Sequence, residues 1–211
     1  MGLVVSIILL ISLAVALPWM FRSILWNKAM KLLKNGKDQE AAEIFASKKF
    51  ESMFGKFASQ WNLLKLALAH SNNEEIKTAL SRIFAMNFSR DQRVTAAKAT
   101  YFYFLNLEDR EMCSRLLDVI RESNDKDEVK QNEMLYRVLI EKKSEDIDFV
   151  KNMIETSNFD EASQQLGLLQ YILGLQYMYQ KNIEEGMKYL MKAKQILKNT
   201  PYSKKIKELV N

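Results

Sequence analysis

Few side chains in this sequence are of the types that catalysis usually requires. The chain contains one histidine, His70, and one cysteine, Cys113. A histidine-based triad needs a placed nucleophile and an orienting partner, and the sequence offers no readable set of this kind. A zinc site needs three or four Cys, His or acidic ligands, which one Cys and one His do not supply. We therefore expect no catalytic residues and no metal site.

Paired carboxylates are the other candidates for acid–base chemistry. Four such pairs occur, Glu74-Glu75, Glu108-Asp109, Glu145-Asp146 and Glu184-Glu185. Each pair follows a short polar break and opens an expected helix, where an acid stabilises the helix dipole by about 0.3–1 kcal/mol. The sequence also lacks the glycine-rich patterns G-x-x-x-x-G-K-[ST] and G-x-G-x-x-G, which cradle phosphates. The sequence thus predicts a protein that is not an enzyme and binds no cofactor.

The elements that position any functional surface begin with an uncharged segment. Residues 2–21, GLVVSIILLISLAVALPWMF, contain no charged side chain. A helix of this length spans roughly 30 Å, the thickness of the hydrocarbon core of a bilayer. We therefore expect residues 1–21 to be a transmembrane anchor, with Trp19 and Trp26 at the membrane interface. The alternatives are a signal peptide cleaved near Ala14-Val15-Ala16 and a buried core helix.

The charge distribution indicates topology rather than a nucleic-acid partner. The net charge is +5, and the first acidic residue is Asp38. Five bases precede it and account for the whole excess: Arg22, Lys28, Lys31, Lys34 and Lys37. Bases beside one end of a hydrophobic segment place that end in the cytoplasm. We therefore expect a single-pass membrane protein with a cytoplasmic C-terminal domain and no nucleic-acid partner.

Beyond residue 22 the chain shows a repeat. Apolar residues recur at spacings of three and four, which predicts amphipathic helices. Five polar breaks lie about 36 residues apart, at 35–38, 71–73, 107–109, 143–145 and 180–182. Further breaks near 50–54, 88–91, 122–126 and 156–159 separate one expected helix pair from the next. A period of this length indicates a solenoid, so we expect about five helix pairs between residues 22 and 198.

The last pair carries the most specific motif. Leu173-Gly174 and Tyr177 fit the pattern L-G-x2-Y of the tetratricopeptide repeat. Its A-x3-F pattern and the following small residue are matched by Gly186, Leu190 and Ala193. The chain therefore resembles a degenerate tetratricopeptide array, although Gln170 stands where the family has Trp.

The same slot recurs along the chain. Ala41-x3-Phe45 occupies it in the first pair, and Ile76, Cys113 and Val150 begin it in the middle pairs. The resemblance implies an all-α fold, with the transmembrane helix followed by an α-solenoid of about five tetratricopeptide-like pairs. It also implies helix-packing roles for Ala41, Phe45, Leu173, Gly174, Tyr177, Gly186, Leu190 and Ala193. An irregular helical bundle is the alternative.

Tetratricopeptide arrays hold a peptide or a partner helix in a groove lined by the first helix of each pair. If the resemblance holds, aligning the first helices gives candidate groove residues: Trp61, Lys65, Lys98, Phe102, Tyr171 and Met178. Aromatic and basic side chains together suit an acidic, partly apolar segment. We therefore expect a membrane-anchored scaffold or adaptor that binds protein or peptide partners.

Two other functions fit the same sequence. One is an extracytoplasmic, chaperone-like partner of exported proteins, and the other is a non-catalytic assembly subunit of a membrane complex. The aromatic run 101–104 is either core or partner surface. Residues 199–211 are rich in lysine, and we expect them to form a basic cap or tail at the end of the repeat domain.

Overall fold

The computed structural model describes residues 2–160, 162–200 and 202–210, with side chains from Leu17 onward. Every regular element in this part of the chain is a helix, so the all-α prediction is confirmed there. The helices are α1 (Gly2–Lys34), α2 (Asp38–Ala46), α3 (Lys48–Phe54), α4 (Lys56–Ala69), α5 (Asn73–Ala85), α6 (Arg90–Leu107), α7 (Arg110–Ile120), α8 (Lys126–Leu139), α9 (Ile147–Thr156), α10 (Gln164–Tyr179), α11 (Ile183–Ile196) and α12 (Tyr202–Val210).

The predicted transmembrane anchor is wrong. Among the described residues, no helix is both long enough and apolar enough to cross a membrane. Residues 2–21 are not a separate element, because they form the first part of α1, a 33-residue helix that continues to Lys34. The side chains of residues 2–16 lie outside the described part. The single-pass localisation and the cytoplasmic orientation were inferred from this same anchor and are corrected with it.

The C-terminal part of α1, residues 22–34, carries charged side chains and packs against the rest of the N-terminal unit. Its apolar side chains, including Leu25 and Trp26, pack onto the core formed with α2 and α3. Trp26 was expected at a membrane interface, yet its ring lies 5.9–6.4 Å from the rings of Phe45, Phe50 and Phe54. The Trp26 side chain therefore packs against protein rather than lying at a membrane interface.

The polar breaks within the predicted pairs are turns with one residue at positive φ: Gly36, Ser71, Glu108, Lys142 and Lys181. In four of these turns the next backbone N–H donates to the carbonyl five residues earlier, over 2.9–3.1 Å (37 to 32, 72 to 67, 109 to 104, 182 to 177). This bond closes a Schellman motif, which satisfies the last carbonyls of the preceding helix. The same turn chemistry thus recurs at the period of the repeat.

The helix after three of these turns is started by a side-chain cap. Asn72, Asp109 and Asn182 accept hydrogen bonds from the backbone N–H three residues later. A side-chain oxygen in this position satisfies an orphan donor and stabilises a helix by about 1 kcal/mol. The first residue of each A-x3-F pattern lies in the helix after the turn, and all five of these residues are buried: Ala41, Ile76, Cys113, Val150 and Gly186.

The chain divides into two compact units, residues 1–96 and 97–211. The repeat domain expected over residues 22–198 stays a prediction. Two helices lie outside the pair plan. Helix α3 occupies a stretch that was expected to be a break, and α12 forms within residues 199–211, which were expected to be a cap or tail.

The N-terminal unit has an aromatic core. Phe45 of α2 and Phe50 of α3 are fully buried, and their rings meet edge to face at 5.2 Å. Phe54 stacks on Phe50 at 4.4 Å, and Arg22 lies 5.0 Å above the Phe54 ring. Helix α4 joins this core through Ser59, whose hydroxyl donates to the Phe45 carbonyl at 2.7 Å. The short helix α3 is therefore fixed by its two phenylalanines.

The C-terminal unit is built on close contact between α10 and α11. A Cβ added to Gly174 would lie 2.8 Å from Leu190 Cγ and 3.1 Å from the carbonyl oxygen of Gly186. Gly186 in turn faces Met178, whose sulfur would lie 2.7 Å from an added Cβ. Two glycines facing each other let the helices approach closely. Leu173, Leu190 and Ala193 are buried in this contact, and Tyr177 stacks on Tyr189 at 5.7 Å.

Candidate partner-binding cleft in the C-terminal unit

Three first helices of the predicted pairs end at one cleft. The C-terminal parts of α6, α8 and α10 surround a cavity of about 490 Å³, and α12 closes it. Its lining is Leu105, Asn106, Glu108, Leu139, Lys142, Tyr171, Leu175, Tyr179, Tyr202, Lys205, Glu208 and Leu209. The walls therefore combine aliphatic side chains, three phenols and one group of charges. We call this the α12 cleft.

Helix α12 contacts the cleft with one face only. Tyr202, Lys205, Ile206 and Leu209 recur at three- and four-residue spacing, which places them on the same side of a helix. Ile206 is fully buried, and the Tyr202 ring lies 5.4 Å from the ring of Tyr171 on α10. Lys204 and Lys207 on the other face are exposed, whereas Glu208, which is also exposed, lines the cleft. The nine residues of α12 thus form a short amphipathic helix.

A carboxylate between two lysines joins α12 to the ends of α6 and α8. Glu108 Oε1 accepts from Lys205 Nζ and Oε2 from Lys142 Nζ, both at 3.0 Å. Lys205 Nζ also donates to the carbonyl of Asn106 at 3.0 Å. Partial burial alone would raise the pKa of Glu108, but the hydrogen bonds from the two lysines outweigh it and lower the pKa below 4.5. The group is ionised at neutral pH, and we call it the Glu108 latch.

The phenols of the cleft stay protonated at neutral pH. Burial raises the pKa of Tyr179 to about 12, with a smaller contribution from the charge of Glu108. Burial also raises the pKa of Tyr171 and of Tyr202, and a hydrogen bond with Asn106 partly offsets the rise at Tyr202. A neutral phenol donates a hydrogen bond but is a poor base or nucleophile. The three phenols of the cleft are therefore available as hydrogen-bonding groups at neutral pH.

A second cavity borders the start of α12. It measures about 320 Å³ and is lined by Phe102, Asn106, Gln164, Gln165, Leu168, Leu197, Thr200 and Tyr202. Asn106 and Tyr202 border both cavities. Helix α12 therefore sits over a longer depression of the unit without filling it.

The predicted groove residues fall into different environments. Trp61 and Lys65 lie on α4 in the N-terminal unit, where Trp61 stacks on Phe57 at 6.1 Å and Lys65 Nζ lies 5.8 Å from the Trp61 ring. Lys98 is paired with Glu128 and donates to the Ser123 hydroxyl at 3.2 Å. These residues contribute nothing to the α12 cleft.

Two of the predicted groove residues lie at the two cavities beside α12. Tyr171 lines the larger cavity, although it is only 3 % exposed, and Phe102 lines the smaller one with 42 % of its surface exposed. Met178 lies instead at the contact with Gly186. The aromatic run is likewise divided, since Tyr101 and Phe104 are buried in the core while Phe102 points outward.

Sequence reasoning missed Asn106, Glu108, Lys142, Tyr202 and Lys205, which hold α12 in place. Glu108 was interpreted with Asp109 as a helix-starting pair. Asp109 does cap α7, but Glu108 occupies the positive-φ turn position and binds the two lysines. The three- and four-residue spacing of Tyr202, Lys205 and Ile206 was the available signal for a docking face.

The single histidine is paired with a carboxylate, and the single cysteine is buried. His70 closes α4, and its Nε2 lies 2.8 Å from Oδ2 of Asp38. Cys113 is fully buried; burial, and then the charge of Asp109, raises the pKa of its thiol to about 12. Among the described residues, no three His, Cys, Asp or Glu side chains lie close enough together to hold a metal ion.

Comparison of the chain with protein-family models, with curated proteins and with solved structures finds no match. The case for a function therefore rests on the geometry of the chain itself.

Proposed function

We propose that the protein is a non-catalytic binding scaffold that holds a segment of a protein partner in the α12 cleft. The observation that carries the proposal is the cleft itself, in which the ends of three first helices present apolar side chains, neutral phenols and one charged group around about 490 Å³. Protein interfaces combine such a partly apolar centre with a few placed polar groups, and tyrosine is enriched in them.

The resemblance to tetratricopeptide repeats supports the same proposal. In that family the first helices of the pairs form the recognition surface, and the cleft is formed by α6, α8 and α10, which are first helices of the predicted pairs. Of the aligned residues, buried Tyr171 lines the cleft and exposed Phe102 lines the smaller cavity beside it. We do not extend the proposal to Trp61 and Lys65, which lie in the other unit.

Site-specific photo-crosslinking in the source cells tests the proposal. A photoreactive phenylalanine analogue replaces Phe102 in the full chain, because this ring is exposed and borders the depression. The control places the same analogue at Lys207, which is exposed on the opposite face of α12. We expect a discrete protein adduct from position 102 that is missing from position 207. The same adducts from both positions, or none from position 102, would contradict the proposal.

A further inference from the structure

Helix α12 covers one side of the cleft and turns its amphipathic face toward it, as a bound peptide helix would. We propose that α12 is an intramolecular ligand, and that the partner is an amphipathic helix which displaces it by presenting an aromatic ring, a lysine and an aliphatic side chain at the spacing of Tyr202, Lys205 and Ile206. This inference rests on the proposed function, since it names the partner class and the regulation of the same site.

The binding face of α12 defines what the partner must offer. Tyr202 lies beside Tyr171, Lys205 reaches the carbonyl of Asn106 and the Glu108 carboxylate, and Ile206 is fully buried. Anchors at positions i, i+3 and i+4 are the signature of a helix that binds in a groove. A partner with this face can repeat these three contacts.

Helix α12 packs mainly on α11, and few of its contacts reach the cleft. Only Ile206 is fully buried, and it is one residue of nine. The Glu108 and Lys205 side chains are 49 % and 35 % exposed, so solvent screens the ion pair. A helix this short is also unstable away from its contacts. Undocking of α12 therefore requires less disruption than opening of α10 and α11, which are joined along a glycine contact.

The two cavities beside α12 leave room for a better-fitting ligand. About 490 Å³ lies on the side of Tyr179 and about 320 Å³ on the side of Phe102. Leu209, the last aliphatic position of the binding face, remains 37 % exposed. A partner helix that extends further, or carries a larger side chain at this position, buries apolar surface that α12 leaves open. The additional buried apolar surface lets a separate chain compete with α12, which is tethered beside the cleft at an effective concentration in the millimolar range.

A peptide-binding experiment on the full chain tests this inference. The probe is a fluorescein-labelled peptide with the sequence of residues 200–211, TPYSKKIKELVN. Its binding to the wild-type chain is compared by fluorescence anisotropy with binding to Lys205→Glu, which sets a carboxylate against Glu108 and loosens the resident α12. The matched control is Lys204→Glu, which makes the same charge change at the neighbouring exposed position.

The expected result is a difference between these adjacent substitutions. The Lys205→Glu chain binds the peptide about tenfold more tightly than the wild-type chain. In the wild-type chain docked α12 competes with the peptide and lowers its apparent affinity, and the substitution removes this competition. Lys204→Glu binds like wild type. A peptide that itself carries Lys205→Glu binds neither chain but binds a Glu108→Lys chain, in which the charges are exchanged.

Three outcomes would overturn the inference. The first is equal peptide affinity for the Lys205→Glu and Lys204→Glu chains. The second is hydrogen exchange of the α12 amides in the wild-type chain as slow as that of α11, which also decides the case if Lys205→Glu unfolds. The third is a wild-type dimer that Lys205→Glu abolishes, which would make a second copy of α12 the occupant. If any of these occurs while the adduct at position 102 persists, the proposed function stands and only the displacement of α12 is rejected.

Discussion

Helices α1 and α12 lie at the two ends of the chain, and each packs on a helix pair of its own unit in a different way. Helix α1 inserts Trp26 among Phe45, Phe50 and Phe54, so one side chain contacts rings from two other helices. Helix α12 contributes one buried aliphatic residue, one tyrosine and a partly exposed ion pair. The contact of α1 therefore resembles the packing of a protein core, whereas the contact of α12 resembles the interface of a complex.

This difference teaches which terminal helix is available for exchange. Aromatic clusters bury large areas and couple several elements, so their loss is felt by the whole unit. A contact made of one apolar anchor and one screened ion pair can open while the remainder of the unit stays folded. The predictions that follow test this contrast, beginning with the largest expected effect.

Trp26→Ala is expected to destabilise the protein by about 2–3 kcal/mol, because it leaves a cavity among three phenylalanine rings. Urea unfolding followed by circular dichroism measures the change. The matched control is Trp19→Ala on the same helix, where the ring is 76 % exposed. Its effect is expected within about 0.5 kcal/mol. Equal losses of stability for the two substitutions would show that Trp26 belongs to the core no more than exposed Trp19 does.

Gly174→Ala is expected to cost about 1–2 kcal/mol. The added Cβ meets Leu190 and the backbone of Gly186, and overpacking outweighs the gain in helix propensity. Gly167→Ala on the same helix is the comparison, since its Cβ would meet only side-chain atoms of Ile196 and Leu197 and should cost less. Thermal unfolding of both variants checks this order. A larger loss at Gly167 would contradict the role assigned to Gly174.

Ile206→Ala is expected to cost only about 1 kcal/mol in global unfolding, less than a fully buried isoleucine usually does. The reason is that α12 can undock locally, which limits the global loss to the free energy of its own docking. Hydrogen exchange should show faster exchange throughout α12 and unchanged exchange in α10 and α11. A uniform loss of protection across all three helices would show that α12 belongs to the cooperative core.

The sequence predicted the turns better than it predicted the packing. The second helices of the pairs begin at Asp38, Asn73, Arg110, Ile147 and Ile183, each at or next to a predicted break. Breaks of this kind are local, because a cap and a positive-φ residue lie within a few positions of each other. Gly174 was also identified correctly as a close-approach position, because it belongs to a specific motif.

The failures are non-local. The segment 2–21 was assigned to lipid from its length, whereas the next part of α1 packs on Phe45 and Phe50, which follow it in the chain. Helix α3 was taken for a break because its pattern is too short to show a period. The cleft depends on Lys205 reaching Glu108 across 97 residues, a contact that no spacing rule reveals. Pairings of this kind follow from tertiary packing, which a single sequence does not display.

Glu108→Gln is expected to have the smallest effect, about 0.5 kcal/mol on the docking of α12, because the ion pairs are exposed. The effect should depend on pH. The pKa of Glu108 is lowered in the folded chain, so the latch stabilises docking above pH 4.5 and loses that contribution as the pH falls through the folded value. Protection factors of α12 relative to α11 should therefore fall as the pH drops below the usual carboxyl pKa in the wild type, and should stay nearly constant in Glu108→Gln. Glu155→Gln, an exposed change on α9, serves as the control and should keep the wild-type profile. The same pH profile in Glu108→Gln as in the wild type would show that the two lysines do not hold α12 through this carboxylate.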